Sequence, residues 1–143
     1  MPMHLAALLV AGAAKIDDSA IDASRLPITS YEVNQTPWWM TIPLVLVVHA
    51  PAGGEYDAEI FIVCKDPAGT IRGTVRSAWQ WPDEESKPSK YRCFTPQLSF
   101  AVETTGEYTI GVYRDAEGIK SVGTPIPLFV GLAGGRQRRT NNN

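Results

Sequence analysis

Apolar and polar residues alternate with a period of two along most of the chain. Short sequences rich in Gly, Pro and Asp separate the alternating stretches: residues 51–54, 66–69, 104–106 and 115–118. This spacing predicts strands joined by tight turns rather than helices, with hairpins at 66–69 and 115–118. The predicted strands are residues 4–14, 26–33, 40–50, 56–65, 70–81, 91–103, 107–114 and 119–130. We therefore expect an all-β fold, an antiparallel β-sandwich of seven to eight strands.

The stretch 40–50 is apolar on both of its alternating sides. A strand of this kind is central in a sheet or covered on its outer face. Two tryptophans precede it, and alternation directs one indole inward and the other outward. An exposed indole beside an apolar outer face is typical of a protein-contact surface. The residues of this predicted surface are Trp38, Trp39, Val45 and Val47.

Three other segments leave the local structure less defined. Residues 16–23 fit a turn, one short helix or a hairpin. Residues 82–90 are polar apart from their prolines and predict an exposed, mobile loop. Pro125 and Pro127 remove two backbone donors from the last strand, which predicts a sheet edge or a bulge there.

Residues 105–113, Thr-Gly-Glu-Tyr-Thr-Ile-Gly-Val-Tyr, resemble the penultimate strand of immunoglobulin-like sandwiches. The resemblance implies that Tyr108 caps the corner before this strand. It also implies an immunoglobulin-like fold. The cysteine that antibody domains carry two residues after the tyrosine is replaced by Ile110, so an antibody-type domain is not indicated.

The order of segments resembles a family of small uncharacterised bacterial and phage β-sandwich proteins. The resemblance rests on the opening apolar strand that runs into Lys15, the stretch Ile-Pro-Leu-Val at 42–45, and the closing hairpin with Thr-Pro-Ile-Pro-Leu at 124–128. It covers roughly residues 3–130. The family has no assigned activity, so the resemblance implies no functional residue.

Length and charge indicate one domain with a distinct C-terminal end. The chain has 143 residues, enough to bury a core without a metal or a disulfide framework. Residues 1–130 are expected to form the sandwich, and residues 131–143 a flexible basic tail. The net charge of −2 is the sum of an acidic body and a basic tail. Without Arg136, Arg138 and Arg139, the chain has 10 basic and 15 acidic residues.

The three tail arginines predict at most weak, salt-sensitive contact with phosphates. The acidic body is not expected to bind nucleic acid. No apolar run reaches the roughly 18 residues of a membrane-spanning helix, and no membrane partner is expected.

The N-terminal run 4–14 fits a buried strand, and it also resembles the apolar region of a signal peptide. No Lys or Arg precedes it, which favours the strand and a cytoplasmic location. A secreted or virion location is the alternative if the run is a signal.

Cys64 alternates in step with Ile62, whereas Cys93 is out of step with Phe94 on its own strand. If Ile62 and Phe94 both face the core, the two sulfur atoms point apart. We therefore expect free thiols rather than a disulfide.

Candidate catalytic groups are sparse. The two histidines, His4 and His49, end apolar strands without metal-ligand spacing, and the acidic pairs at 17–18 and 84–85 lie in polar loop sequence. We expect no catalytic residue, cofactor or metal. A hydrolase with a site near His49 remains a weaker alternative.

Trp79 and Trp81 are two residues apart on a predicted strand, so both indoles project from one face. Exposed and coplanar, they would form a platform for a sugar ring; otherwise they join Val75 in the core. The leading functional prediction is a non-enzymatic binding or assembly module that contacts proteins, with self-association included and a structural role in a bacterial or phage assembly. A carbohydrate-binding module is the alternative.

Overall fold

The computed structural model describes residues 2–134, and this part of the chain is all-β. Four glycines, one in each predicted tight turn, have positive φ: Gly53, Gly69, Gly106 and Gly118. The predicted turns are therefore confirmed. The strands are β1 (His4–Val10), β2 (Ala13–Asp17), β3 (Ala20–Ser24), β4 (Ser30–Val33), β5 (Trp38–Pro51), β6 (Asp57–Lys65), β7 (Ile71–Gln80), β8 (Ser89–Phe94), β9 (Gln97–Val102), β10 (Gly106–Tyr113) and β11 (Ile126–Leu132).

The first sheet, sheet I, is built on β5, which is paired along both edges. β1 runs antiparallel to its C-terminal half, from His4 opposite His49 to Val10 opposite Leu44. β8 and β9 follow one another along the other edge, also antiparallel. Their registers continue each other across residues 95–96, so they form one interrupted strand.

The second sheet, sheet II, has the strand order β4-β11-β10-β6-β7. Its pairs are antiparallel except for β4, which runs parallel to β11. The expectation of purely antiparallel pairing is therefore wrong at this edge. Residues 25–29 follow the free edge of β1, where the Ile28 amide donates to the Val10 carbonyl over 2.7 Å, and they carry the chain to sheet II.

One hydrophobic core lies between the two sheets. The even-numbered residues of β5 from Met40 to Ala50 face it, and alternate residues of β6 and β10 face it from sheet II. The rings of Phe100 and Tyr108 meet across the core, with 5.7 Å between centroids. Burying one such aliphatic or aromatic side chain stabilises the fold by roughly 1.5–3 kcal/mol. The arrangement is consistent with a β-sandwich.

A two-stranded hairpin made of β2 and β3 lies outside both sheets. It contacts β5 through β2 and β8 through β3, so it crosses the outer face of sheet I. Ala14 opposes Ala23 and Ile16 opposes Ile21, which places these four apolar side chains on one side of the hairpin. Of the three structures that the sequence of residues 16–23 allows, the hairpin is the one present.

The strand boundaries differ from the prediction in two ways. The structure has eleven strands in residues 2–134 where seven to eight were predicted, partly because residues 4–14 and 91–103 are each interrupted. The last strand begins only at Ile126 and continues to Leu132, so the sandwich extends beyond the predicted boundary at 130. The rest of the predicted tail, from 135 onward, lies outside the described residues.

Of the two outcomes predicted for Pro125 and Pro127, a sheet edge is wrong, because β11 lies between β10 and β4. The predicted strand 119–130 is instead interrupted, between an isolated bridge of Ser121 with Tyr113 and the start of β11 at Ile126. The pairing of β11 with β4 begins at Phe129, beyond Pro127, so the missing amide of Pro127 faces no partner strand on that side.

Tyr108 caps the corner between β9 and β10. Its side chain is fully buried, and its hydroxyl donates to the Thr104 carbonyl over 2.6 Å. The predicted role of Tyr108 at this corner is confirmed by this bond. Burial raises the pKa of the Tyr108 phenol, which keeps the hydroxyl available as a donor.

We predict that Tyr108→Phe lowers the free energy of unfolding by about 1 kcal/mol, because the Thr104 carbonyl loses its donor while the ring packing is kept. Urea unfolding measures the change. The matched control is Tyr91→Phe, since Tyr91 is 60% exposed. Equal unfolding midpoints for the two variants would show that the corner bond contributes nothing.

Candidate functional site

Within residues 2–134, the strand positions on the outer face of sheet I carry no charged side chain. The β5 residues that alternate with the core positions point outward, together with their cross-strand partners. These positions are His4, Ala7 and Leu9 in β1, Trp39, Thr41, Pro43, Val45, Val47, His49 and Pro51 in β5, Ser89, Tyr91 and Cys93 in β8, and Gln97, Ser99 and Ala101 in β9. None of them is Asp, Glu, Lys or Arg. We call this surface the outer face.

The outward side of sheet II has the opposite character. Along β6 and β7 the Arg76 guanidinium donates to the Glu59 carboxylate over 2.5 Å, and the Gln80 amide donates to Asp57 over 2.6 Å. Charged and polar ladders of this kind are what a solvated antiparallel sheet face carries. The absence of charge from the outer face of sheet I is therefore a property of that sheet alone.

Trp38 and Trp39 are both exposed, 42% and 64% respectively. The two residues alternate to opposite faces of β5, as predicted, but the expectation that only one indole is exposed is wrong. Trp38 does occupy a core-facing register, opposite Val102, but it is the first residue of β5. The opposing sheet does not cover it at this end of the sandwich. The chain thus presents two neighbouring indoles where one was expected.

Val45 and Val47 are less accessible than predicted. Val45 is only 6% exposed, and Val47 is half-buried. Both point outward, but the β2–β3 hairpin crosses β5 on this face and covers the middle of it. These two valines are therefore not free contact residues, and the accessible part of the predicted surface is Trp38 and Trp39.

Trp79 and Trp81 belong to the core and do not form a sugar platform. They are 9% and 3% exposed, and their rings are tilted by 55°. The Trp79 ring also meets Phe94 edge-on, with 4.9 Å between centroids. The exposed, coplanar pair that carbohydrate binding requires is absent, because both residues share the inward face with Ala58. Val75 packs against the same core, as the alternative prediction states.

His49 lies in a row of three rings across β1, β5 and β8. His4 stacks on one side of it and Tyr91 lies on the other, each with 5.2 Å between centroids. Sequence spacing does not predict this contact, because His4 and His49 are 45 positions apart. The row itself consists of rings, and Ser89 and Cys93 lie on the same face, two residues before and after Tyr91 on β8.

Lys90 is a buried cation that the sequence pattern misplaces. It was predicted in an exposed loop, but it is 1% exposed and lies in β8. Its ammonium donates to the carbonyls of Gly54 (2.7 Å) and Trp81 (2.6 Å) and to the Asp83 carboxylate (3.1 Å). The period-two pattern hides it because a polar residue at a strand start cannot be distinguished from loop sequence.

Two aromatic rings and a carboxylate surround this ammonium. It lies 4.5 Å from the Tyr56 ring centroid and 5.3 Å from that of Trp81. The Tyr56 hydroxyl donates to Asp83 over 2.9 Å. This bond and the Lys90 ammonium lower the pKa of Asp83, which stays ionised beside the cation. Every ammonium proton has an acceptor, so the cluster joins three chain segments rather than activating a group.

The cysteines are free, as predicted. Cys64 lies in the core on β6 and Cys93 on the outer face, so the two sulfur atoms are on opposite sides of a sheet layer. Burial raises the pKa of the Cys64 thiol to about 12.

The tail arginines predicted to contact phosphates, Arg136, Arg138 and Arg139, lie outside the described residues.

We predict that Lys90→Met lowers the free energy of unfolding by about 2–3 kcal/mol, because two buried carbonyls lose their donor and Asp83 loses its cation. The control, Lys87→Met, removes an exposed pair with Glu84 and should cost less than about 0.5 kcal/mol. Chemical unfolding compares the two variants. A Lys90→Met protein as stable as the control would contradict the structural role of the cluster.

We also predict that N-ethylmaleimide modifies one thiol per native chain, Cys93, because the buried Cys64 thiol stays protonated near neutral pH. Intact-mass spectrometry counts the adducts. Cys93→Ser should leave the native chain unmodified, and unfolding should then expose one reactive thiol. Modification of native Cys64 at the rate of Cys93 would overturn this assignment.

In residues 2–134, no three or more His, Cys, Asp or Glu side chains come together in a group that could hold a metal ion. That part of the chain also has no helix of the length and apolarity needed to cross a bilayer. No protein-family model matches the chain, and no curated protein matches it either.

Proposed function

We propose that the chain is a non-enzymatic binding module that contacts a protein partner through Trp38, Trp39 and the uncharged surface beside them. The observation that carries the proposal is an outer face without charge, next to two indoles 42% and 64% exposed. The leading form is self-association, within a bacterial or phage assembly as the family resemblance implies. A cytoplasmic location belongs to the same proposal and is supported by β1, whose Leu8 and Val10 are core residues.

Large exposed apolar patches are rare on proteins that act alone. Tryptophan is enriched among the residues that dominate binding energy, since it combines a large apolar area with one polar N–H. Beside Trp39, the hydroxyls of Thr41 and Ser99 form a hydrogen bond with each other over 2.8 Å. Part of the hydrogen-bonding capacity of the adjoining surface is therefore used within the chain.

A second copy of the chain is the occupant to which we commit. Without its three tail arginines the chain has 15 acidic and 10 basic residues, so two bodies repel wherever charged surfaces meet. Beside Trp39, outside the part of the outer face that the acidic β2–β3 hairpin covers, two copies can approach without opposing like charges. A two-fold axis there places each Trp39 against the uncharged surface of the other copy.

The scaffold in this proposal is an immunoglobulin-like sandwich. Support comes from the order β4-β11-β10-β6-β7 in one sheet, with β1, β5 and the β8–β9 line in the other. The Tyr108 hydroxyl bond at the corner before β10 is a second supporting feature, because sandwiches of this class use a tyrosine there. Such folds commonly serve as adhesion and assembly units, although the fold alone does not specify a function.

We predict that the unmodified chain self-associates reversibly and that Trp39→Glu weakens this association at least about tenfold, equivalent to about 1.4 kcal/mol. Sedimentation equilibrium over a concentration series measures it. The matched control is Ile119→Glu, which places the same charge on a side chain 76% exposed in the turn between β10 and β11. A chain that stays monomeric at the highest attainable concentration, or equal weakening by both variants, would contradict the proposal.

A further inference from the structure

The two histidines of the chain lie directly opposite each other on the outer face. His4 on β1 and His49 on β5 are register partners, and their rings stack with 5.2 Å between centroids at an interplanar angle of 29°. The sequence contains no other histidine. The fold therefore places every imidazole of the protein in one spot.

A β-bulge creates this pairing. The alternation that sends Leu8 and Val10 into the core would send His4 inward as well. Instead, the register shifts between Leu5 and Ala7, so that Ala6 is an extra residue in β1. Beyond the shift, Met3 turns into the core, where it is 5% exposed, and His4 turns outward beside His49. Bulges of this kind redirect side chains at functional positions.

The two rings are oriented but have free ring nitrogens. Tyr91 lies against the other side of the His49 ring, which is thus held between two rings. Within residues 2–134, the interactions of both imidazoles are these ring contacts and not hydrogen bonds. His49 is half-buried and His4 is exposed, so the pair is ordered on one side and open to solvent on the other.

Two adjacent imidazoles with free nitrogens have a defined ligand preference. Imidazole nitrogen suits Cu²⁺, Ni²⁺ and Zn²⁺, whereas Mg²⁺ and Ca²⁺ require oxygen ligands. The outward positions around the pair carry no carboxylate, so hard cations have nothing to bind there. Cross-strand partners have Cβ atoms about 4.5–5.5 Å apart, a separation at which rotation of the exposed ring lets both nitrogens face one ion.

We propose that His4 and His49 together bind one divalent transition-metal ion of the imidazole-preferring class, with water completing its coordination. The ion lies over the end of the β1–β5 ladder, beside Tyr91. The site does not depend on the protein-contact function, because it uses neither Trp38 nor Trp39. The bulge at Ala6 is the local feature that makes it possible.

The test is a calorimetric titration of the chain, without a polyhistidine tag, with NiCl₂ in a non-chelating buffer. Nickel is used because it does not oxidise Cys93 as Cu²⁺ would. We expect one ion per chain, and at least tenfold weaker binding for His4→Gln and for His49→Gln. Tyr91→Phe is the control and should bind as the unmodified chain does. Unchanged affinity in either histidine variant would overturn the proposal.

A second readout keeps the test valid if a variant loses stability. Paramagnetic Ni²⁺ should broaden the NMR signals of both imidazoles and of Tyr91 in the unmodified chain, before those of the acidic β2–β3 hairpin. Broadening centred on Asp17, Asp18 and Asp22 would instead place the ion on the hairpin and refute the site. Self-association is measured separately without metal, so failure of one proposal leaves the other intact.

Discussion

The whole structure depends on β5 and on its pairing along both edges. This strand of 14 residues holds β1 on one side and the β8–β9 line on the other, and its inward residues form one half of the core. Leu44, Leu46 and Val48 are fully buried. A strand apolar on both sides can be stable in water only if both of its faces are covered. Sheet II covers the inner face, and the β2–β3 hairpin covers the middle of the outer one.

The hairpin divides the outer face into two ends with different chemistry. At one end Trp39 lies on the surface proposed to meet a second copy, and Trp38 is exposed next to it on the other side of β5. At the other end His4, His49 and Tyr91 form a row of rings proposed to hold a metal ion. The proposed contact surface and the proposed metal site have the same origin. Because the strand positions of this face carry no charge, its indole and imidazole groups are the ones available for binding. The buried Lys90 cluster has a structural role by contrast, since all its hydrogen-bonding capacity is used within the fold.

Sequence reasoning succeeded where a feature depends on local geometry. The turns and the alternation that separates Cys64 from Cys93 follow from spacing along the chain, and the corner role of Tyr108 is what the resemblance of residues 105–113 implies. It failed where tertiary context decides. The bulge at Ala6 reverses the side on which His4 lies, and no residue type in β1 signals it. The cover over Val45 depends on where a separate hairpin lies, which no periodicity encodes.

The outer face beside Trp39 is the surface proposed to join two copies of the chain. Tryptophan fluorescence tests this proposal directly, because only Trp38 and Trp39 of the four indoles are exposed, whereas Trp79 and Trp81 are buried. Acrylamide quenching should decrease as protein concentration rises, since association covers the exposed pair and leaves the buried pair unchanged. Quenching that is independent of concentration up to the solubility limit would contradict the account.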